Sequence, residues 1–422
     1  MTQTTPTESN PVLIIGGGIV GLVLAQALHL RGIPFAVFER NPSPSSRDGG
    51  WGITIHWALS ALQKCLPPAL FAAIDSVQVD PAQGRSDAGR FVFLDIATAQ
   101  VRYSIPPAPR RRVSRVRLHR LLAQGLEDHV RWGKAFVGFV EDTDGGGVTA
   151  EFADGSRERG CMLIAADGSA SRVRRLLVGE EEGQLQPVGA NFVGVTVRLG
   201  EEEVVPLREI DPLLFQGSHP DTGYFMWFSI LSTPEVNCSG DGGEKPYYEG
   251  QINVSWLENG HEDVVPPENE KRLTRMKEAA RAGTGFHKTF CDAIEAIPQG
   301  TRVVEVKLAD WPTKRWTPCD GRITLVGDAA HAMTMYRGEA ANHGVTDVAH
   351  LAEQLQLWHE GKKTRAEAVA AYEDEMIPRA YQAVLLSRQA CLDAHNLRNL
   401  NPESPLVSKR AVVRTPGIRA EQ

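Results

Sequence analysis

The fold of this chain is decided by residues 11–40, PVLIIGGGIVGLVLAQALHLRGIPFAVFER. Val12–Ile15 is a short apolar run, which is typical of a strand buried on both faces of a parallel sheet. A glycine-rich loop follows at once, and apolar residues then recur with helical spacing up to Gly32, where a helix should end. A second apolar run, residues 35–38, leads directly to Glu39. The stretch therefore predicts a strand, a glycine loop, a helix and a second strand with an acid at its end.

The glycine loop has the spacing of a dinucleotide-binding turn. Gly16 permits the tight turn, Gly18 lets the backbone approach a pyrophosphate, and Gly21 lets the helix pack close to the sheet. Amide groups at the N-terminus of the helix would bind the phosphates. The alternative interpretation is a purely structural turn. The position of the loop between a strand and a helix favours dinucleotide binding.

Glu39 narrows the choice of dinucleotide. It follows Gly16 by about 20 positions, as expected of an acid that binds a ribose hydroxyl. A carboxylate in this role accepts a hydrogen bond from a free hydroxyl and would repel a ribose phosphate. The residues therefore favour FAD or NAD(H) as the resident ligand and disfavour NADP(H).

Composition sets limits on the class of protein. A chain of 422 residues is long for one core, which favours two interleaved domains. Its 42% hydrophobic and 23% charged residues are typical of a soluble globular protein, and a net charge of −7 argues against nucleic acid as the main partner. No secretory leader or membrane-spanning run is visible, so we expect a cytoplasmic protein without a transmembrane segment, as a monomer or homodimer. The six scattered cysteines have no metal spacing, and no metal site is expected.

A second glycine-rich segment, residues 47–52, contains Arg47 and ends at Gly52. It is either a flexible surface loop or backbone that passes close to a flat cofactor ring. We favour the second interpretation because apolar residues follow immediately. Arg40, which directly follows Glu39, and Arg47 are then candidate cofactor contacts.

Six arginines cluster between residues 110 and 120. A charge run is usually a solvated face, and this is the prediction for most of them. Arg115 stands apart because helical spacing begins beside it, which makes it a candidate phosphate contact at a helix start. The cluster consists of Arg110, Arg111, Arg112, Arg115, Arg117 and Arg120.

Two further apolar runs end in ligand-binding patterns. Residues 161–166 lead into Asp167 and Gly168, and residues 322–326 lead into Gly327 and Asp328. Ligands bind at the carboxyl ends of strands in open α/β folds. A helix is expected from about 340 to 358, and more helix from about 364 to 396. Residues after 399 are expected to form a poorly ordered tail.

The region from 181 to 301 has a different character, with strand-like runs between acidic stretches. In residues 224–231, Tyr224, Met226, Phe228 and Ile230 share one predicted face, and Phe225 and Trp227 share the other. Such a sheet fits a pocket for an aromatic or terpenoid-like substrate, although core packing is the alternative for most of these side chains. A helix is expected over 271–289.

Three strand ends carrying Gly16/Gly18/Gly21, Asp167-Gly168 and Gly327-Asp328 resemble, in this order, the p-hydroxybenzoate-hydroxylase-like (group A) FAD-dependent monooxygenases. The resemblance spans about residues 10–390. It implies an α/β fold in which a Rossmann-like FAD-binding domain is interleaved with a mostly antiparallel β-sheet substrate domain, followed by C-terminal helices. The predicted FAD domain comprises 10–75, 110–180 and 302–358, and the substrate domain comprises 76–109 and 181–301. Residues 359–398 form the helical segment, and 399–422 the tail.

The resemblance also implies the reaction. FAD would be the cofactor, with NAD(P)H as electron-donating co-substrate, O₂, and a hydrophobic small-molecule substrate. In the family, reduced flavin traps O₂ as a flavin hydroperoxide, which here would hydroxylate or epoxidise an aromatic or natural-product substrate. One alternative is an FAD oxidase, reductase or oxidative cyclase on the same scaffold, and another is a flavin-binding protein without turnover.

Individual roles follow from the resemblance. The three glycines would hold the FAD pyrophosphate, Glu39 the adenosine ribose, and Asp328 the ribityl or pyrophosphate part. Arg115 would contact FAD, and Asp167 is associated with both FAD and the nicotinamide donor. The helix opening near Ala341 and Asn342 would direct its amides at the flavin pyrimidine ring.

Two positions depart from the family pattern. Thr334 stands where the family usually has proline, and Gly338-Glu339-Ala340 stands where it has Gly-Gln-Gly. The Glu339 carboxylate would be unfavourable beside an anionic reduced flavin unless Arg337 neutralises it. Arg337 and Glu339 are therefore the candidate catalytic residues, and the alternative is that both point to solvent.

Overall fold

The computed structural model describes residues 10–46, 50–105, 107–142, 146–259 and 263–408. The strands in these ranges are β1 (Val12–Ile15), β2 (Phe35–Glu39), β3 (Gly52–Ile55), β4 (Phe91–Asp95), β5 (Gln100–Ile105), β6 (Arg111–Ser114), β7 (Val130–Trp132), β8 (Phe136–Glu141), β9 (Val148–Phe152), β10 (Arg157–Gly160), β11 (Met162–Ala165), β12 (Gln186–Pro187), β13 (Ala190–Leu199), β14 (Leu214–Ser218), β15 (Phe225–Ser232), β16 (Tyr248–Leu257), β17 (Val304–Glu305), β18 (Ala309–Asp310) and β19 (Ile323–Leu325). The α-helices are α1 (Ile19–Leu30), α2 (Leu59–Cys65), α3 (Pro68–Ala72), α4 (Pro81–Ser86), α5 (Arg115–Ala123), α6 (Arg172–Val178), α7 (Glu201–Arg208), α8 (Pro234–Asn237), α9 (Asn269–Arg281), α10 (Lys288–Glu295), α11 (Asp328–His331), α12 (Ala340–His359) and α13 (Arg365–Asp393).

A parallel sheet with the strand order β19-β11-β1-β2-β7 organises the first unit. Val12 lies opposite Met162 on one side and Phe35 on the other. Every residue of β1 and β11 is buried, as expected of a parallel sheet covered on both faces. Because the strands are parallel, their carboxyl ends meet at one edge. The glycine loop and the two Asp-containing strand ends therefore lie side by side.

A seven-stranded sheet with the order β17-β13-β16-β15-β14-β4-β5 forms the second unit. β14 and β4 run parallel, and the other neighbouring strands run antiparallel. On β15, Met226, Phe228 and Ile230 pack in the core beneath α9 and α10, whereas Phe225 lies in a separate cluster on the opposite face. The predicted division of this strand into two apolar faces is confirmed, and so is the predicted fold class.

A two-stranded ribbon, β3 with β6, lies between the two sheets, with Ile53 opposite Val113. Both of its strands contact β15, and β3 also contacts α12. The ribbon thus joins the seven-stranded sheet to α12. No helix in the described ranges is long and apolar enough to cross a membrane.

Two sequence-based expectations are wrong in detail. The helix expected over 271–289 is broken into α9 and α10, because Gly283 and Gly285 adopt positive φ angles of +65° and +79° between them. The expected tail begins too early, since Leu400, Leu406 and Val407 are buried against the core. Residues 409–422 lie outside the described part of the chain, and the precise domain boundaries stay a prediction.

Candidate active site

In the glycine loop after β1, two glycines are required by close packing and the third borders open space. Gly16 has a φ of +106°, and a Cβ there would lie 2.4 Å from the Ala166 carbonyl oxygen. A Cβ on Gly21 would lie 2.0 Å from the Gly16 carbonyl oxygen, so neither position admits a side chain. A Cβ on Gly18 would have no atom within 4 Å. Gly18 therefore borders open space at the N-terminus of α1, which fits the approach of a pyrophosphate.

Glu39 is buried at the end of β2 and is fixed by the backbone. Its Oε2 accepts a hydrogen bond of 2.8 Å from the Gly17 amide, and its Oε1 accepts one of 3.0 Å from the Asn41 amide. The carboxylate therefore lies beside the glycine loop, where a ribose hydroxyl would be a further donor. The second role of Glu39, holding the loop itself, has no signature in the sequence.

The other two strand ends carry aspartates in different settings. The Asp167 Oδ2 accepts from the Arg172 amide at 2.8 Å, which caps α6, and its Oδ1 is buried without a hydrogen-bond partner among the described residues. Burial raises the pKa of Asp167. Asp328 is exposed at the first position of α11. The open Asp328 carboxylate at this edge leaves room for a bound ligand.

A buried charge cluster holds the third strand end in place. The Asp347 Oδ2 accepts from the Gly327 amide at 2.9 Å and lies 2.5 Å from the His331 Nε2, and its Oδ1 accepts from Arg379 at 2.8 Å. Burial alone would raise the pKa of Asp347, but the charges of His331 and Arg379 lower it below its ordinary value. The cluster fixes the turn that presents Asp328. Its members come from α11, α12 and α13, so sequence reasoning missed it.

The candidate arginines at this edge are open to solvent. Arg115 is exposed at the first position of α5, and its charge acts on Asp328. Arg40 is exposed directly after β2, and Arg47 lies outside the described residues. Gly52 begins β3, and a Cβ there would lie 2.5 Å from the Arg112 guanidinium.

The N-terminus of α12 is held against β3 by Asn342. This residue is fully buried: its Nδ2 donates to the Thr54 carbonyl at 3.0 Å and to the Gly338 carbonyl at 3.3 Å, and its Oδ1 accepts from the His56 amide at 2.9 Å. Both polar atoms of the Asn342 side chain therefore form hydrogen bonds within the protein. What Ala341 and Asn342 can offer a cofactor is the positive end of the helix.

Arg337 and Glu339 form a buried ion pair, with 2.7 Å between the Arg337 Nε and the Glu339 Oε2. The alternative that both point to solvent is wrong. Arg337 also donates to the Pro405 carbonyl, so the C-terminal segment holds it from the other side. The pairing is confirmed, while the role of the two residues at a flavin stays a prediction.

An apolar cavity of about 250 Å³ lies beside this pair. It is enclosed by the ribbon, the seven-stranded sheet and residues 335–341. Large apolar side chains dominate its wall, namely Trp51, Phe91, Phe192, Leu214, Trp227 and Tyr336. The cavity can therefore hold a flat hydrophobic molecule next to the helix N-terminus.

The prediction of a solvated arginine face is wrong for two of the six arginines. Arg110 and Arg112 are both buried at 3% exposure, Arg110 directly before β6 and Arg112 within it. Arg110 pairs with Asp87 at 2.6 Å. Arg112 donates to the Thr54 and Ser229 hydroxyls at 3.0 Å each, and its Nε has no hydrogen-bond partner in the described part of the chain. Burial and then the charge of Arg110 lower the pKa of Arg112 to about 9, so it is a cation at neutral pH.

The arrangement matches known flavoproteins. The FAD binding domain family matches residues 93–387, and the NAD(P)-binding Rossmann-like domain family matches residues 14–65. The chain is 46% identical to the FAD-dependent monooxygenase dbaB of Emericella nidulans, over 84% of this chain and 88% of that protein. It is 40% identical to a probable FAD-dependent monooxygenase of Arthroderma benhamiae, over 94% and 95%.

The fold has solved counterparts. The structure of 2,6-dihydroxypyridine-3-hydroxylase from Arthrobacter nicotinovorans superposes with a TM-score of 0.73, over 98% of this chain and 100% of that one, at 20% identity. At this identity the likeness shows the fold alone. Among the described residues, no group of three or more His, Cys, Asp or Glu side chains could hold a metal ion.

Proposed function

The chain belongs to the FAD-dependent monooxygenases, and we propose that it hydroxylates or epoxidises a hydrophobic aromatic or natural-product substrate held in the cavity beside β3 and β6. FAD is its cofactor, NAD(P)H the electron donor and O₂ a co-substrate. The observation that carries the proposal is the position of the cavity. Its wall is mostly aromatic and aliphatic, and it borders the N-terminus of α12.

The residues at the sheet edge fit FAD. We propose that the open space at Gly18 and the N-terminus of α1 take the pyrophosphate, and that Glu39 takes the adenosine ribose. Asp328 and Arg115 are exposed at the same edge and would hold the ribityl and pyrophosphate part. When bound and reduced, FAD supplies the activated oxygen, which is chemistry that no side chain provides.

The protein would supply charge at the flavin pyrimidine edge. Reduced flavin is anionic, and the positive end of α12 stabilises negative charge placed before Ala340. Glu339 carries the opposite sign at the same place. Because Arg337 pairs with it at 2.7 Å, the two side chains together add no net charge. We propose that this pair keeps the helix end favourable to an anion.

The cavity wall would also exclude water. Trp51, Phe192 and Tyr336 are packed edge to face in a row along one side of the cavity. Apolar walls of this kind orient a flat substrate and keep solvent from the reacting oxygen. The side chains thus act by position and shape, and the proposal requires no acid–base residue.

The test measures oxygen transfer. Purified FAD-loaded protein is screened with NADH and NADPH against phenols, indoles and polyketide aromatics under ¹⁸O₂, followed by mass spectrometry of the products. Substrate-stimulated NAD(P)H oxidation with one labelled oxygen in the product supports the proposal. Oxidation without incorporated label would favour the oxidase, reductase or cyclase alternative.

A matched pair of variants locates the substrate. Val306 lines the cavity, and Val304 is 38% exposed two residues earlier. Val306→Trp should fill the cavity and remove substrate stimulation while FAD content is unchanged, and Val304→Trp should leave both unchanged. Equal behaviour of the two variants would place the substrate elsewhere.

A further inference from the structure

We propose that Gln216 and Gln251 select the substrate by its oxygen pattern, so that the enzyme takes a flat aromatic compound with one oxygen group on each of two opposite rims. A hydroxyl and a carbonyl can both satisfy a carboxamide, which donates and accepts hydrogen bonds. The inference rests on the proposed function, because it names the substrate class for the same cavity. Both glutamines lie outside the motifs at the three strand ends.

The two glutamines lie on the cavity face of the seven-stranded sheet. Gln216 on β14 is opposite Trp227 on β15, and Gln251 on β16 is opposite Ser229 on β15. Directly opposed residues share a face, and so do residues two apart on one strand. Gln216, Trp227 and Gln251 all line the cavity. The sheet therefore presents a flat indole with a carboxamide on the strand to either side.

Both carboxamides are buried and open to the cavity. Gln216 is 6% exposed and Gln251 is 5% exposed, and neither side chain forms a hydrogen bond with another residue in the described ranges. Their amide atoms keep accessible surface, unlike the Asn253 Oδ1 on the same face, which is enclosed. Because both residues line the cavity, this surface faces its interior. A buried amide without a partner is costly, so the two groups are suited to bond with an occupant.

The register of the strands sets the distance between the two amides. β14 and β16 are two positions apart in the sheet, and Trp227 and Ser229 are two residues apart on the strand between them, which places the Cα atoms of the glutamines ~12 Å from one another. Side chains stand roughly perpendicular to a sheet. A hydrogen bond of ~3 Å at each end then leaves ~6 Å between two ligand oxygens. Oxygens on opposite rims of one or two fused rings have about this spacing, whereas oxygens on neighbouring ring carbons are too close together.

Other polar side chains of the cavity wall have partners within the protein. Arg337 pairs with Glu339, and the Thr54 hydroxyl accepts a hydrogen bond from Arg112. The two glutamines thus add hydrogen-bonding capacity that the described residues leave unused. A site with such groups discriminates against a ligand that lacks the matching oxygen, because the amide then loses water and gains no partner.

Two alternatives make different predictions. If the amides only fill space, ligand preference does not depend on them. If they contact the flavin, replacing them shifts the flavin absorption spectrum and reduction potential and leaves ligand preference unchanged.

The first experiment uses the unaltered FAD-loaded protein without NAD(P)H at pH 6.5, where phenolic hydroxyls, which ordinarily ionise near pH ~10, are neutral. Isothermal titration calorimetry measures the Kd of 2-naphthol and of two diols. The 2,6-dihydroxynaphthalene should bind about tenfold more tightly than 2-naphthol and than 2,3-dihydroxynaphthalene, whose oxygens are adjacent. Comparison with 6-hydroxy-2-naphthaldehyde shows whether the second oxygen is preferred as a hydroxyl or as a carbonyl. Equal binding of the 2,6- and 2,3-diols overturns the proposal.

The second experiment uses variants. Gln216→Met and Gln251→Met keep the length of the side chain and remove the amide. In either single variant 2-naphthol can still bond to the remaining glutamine, so its Kd should change by less than about threefold, whereas the 2,6-diol should weaken about tenfold, to the level of 2-naphthol. In the double variant 2-naphthol should weaken as well. Gln100→Met, at an exposed position on β5 of the same sheet, is the control and should match the unaltered protein.

A preference for the 2,6-diol that survives in either single variant refutes the paired role. FAD content, the flavin absorption spectrum and thermal unfolding report whether each variant is folded and whether its flavin site is unchanged. If a methionine variant does not fold, the comparison of the two diols in the unaltered protein decides the outcome.

Binding and turnover fail separately. A preference for the 2,6-diol without incorporated ¹⁸O refutes the monooxygenation of these compounds and leaves the role of the glutamines standing. Incorporated ¹⁸O without this preference refutes the role of the glutamines and leaves the monooxygenation standing.

Discussion

Replacing Arg337 by methionine should destabilise the protein and make its flavin harder to reduce. The Arg337 Nε and the Glu339 Oε2 are 2.7 Å apart, which corresponds to about 6 kcal/mol of attraction at an effective dielectric constant of 20. Much of this offsets the desolvation of two buried groups. Removing one partner of a buried pair usually costs ~3–5 kcal/mol, because the other charge stays buried and unpaired. We expect that loss in the free energy of unfolding of Arg337→Met.

A double-mutant cycle separates the pair from its surroundings. Glu339→Gln restores the residue usual in the family and should recover most of the lost stability in the double variant, a coupling of roughly 1–3 kcal/mol. Urea unfolding of the three variants and the unaltered protein measures it. The exposed pair Arg315–Asp374 is the control, and its cycle should show little coupling.

The same variants test the link to the flavin. An unpaired Glu339 beside the helix end disfavours an anionic reduced flavin, so Arg337→Met should lower the flavin reduction potential and slow reduction by NAD(P)H. Each 1.4 kcal/mol of unfavourable interaction lowers a two-electron potential by about 30 mV. The double variant should return most of the shift. Additive, near-zero shifts in potential would refute the role at the flavin, whatever the stability results.

Three further changes test other parts of the structure. Gly21→Ala should destabilise the fold, because its Cβ would lie 2.0 Å from a backbone oxygen, whereas Gly18→Ala has open space and should leave stability unchanged while weakening FAD binding about tenfold or more; unfolding curves and FAD titration distinguish the two. Asp328→Ala removes an exposed carboxylate, so FAD retention on gel filtration should fall at unchanged stability, and full retention would mean that the site is misplaced. Burial raises the pKa of Glu373 from 4.5 to about 7, so the native carboxyl keeps a proton that the unfolded chain releases, and stability falls as pH rises between these values. Glu373→Gln should remove that decline and gain roughly 3 kcal/mol at pH 8, and a pH dependence identical to that of the unaltered protein would contradict the assignment.

The sequence predicted what depends on neighbours along the chain. One short stretch predicts a strand, a turn and a second strand from Val12–Ile15, the glycine loop and Glu39. Helical spacing likewise predicts α12 from its own residues. The two faces of β15 follow from alternation in the same way. Parallel strands then bring distant motifs to one sheet edge, so the edge proposed to hold the cofactor could be outlined from residue patterns alone.

What could not be predicted depends on partners far along the chain. Arg110 and Arg112 read as a charge run, and only the position of β6 between β3 and the second sheet buries them. The sequence predicts only that Asn342 lies near the start of a helix. Its side chain in fact forms hydrogen bonds with backbone groups of Thr54 and His56, more than 280 positions away. A pattern of residue types carries no information about such pairings.

The C-terminal segment helps to explain why Glu339 can replace the residue usual in the family. Glu339 is tolerated at the helix end because Arg337 neutralises it, and Arg337 is held there by the Pro405 carbonyl as well as by Glu339. Pro405 is in turn fixed by its buried neighbours Leu406 and Val407, a segment whose proline and basic residues suggest a disordered tail. Glu339, which replaces a neutral glutamine of the family, is thus accompanied by the cation of Arg337 two residues earlier. It is also accompanied by the packed segment around Pro405, some 65 residues later. Arg337 and Glu339 should be present or absent together, because either one alone leaves a buried charge unpaired.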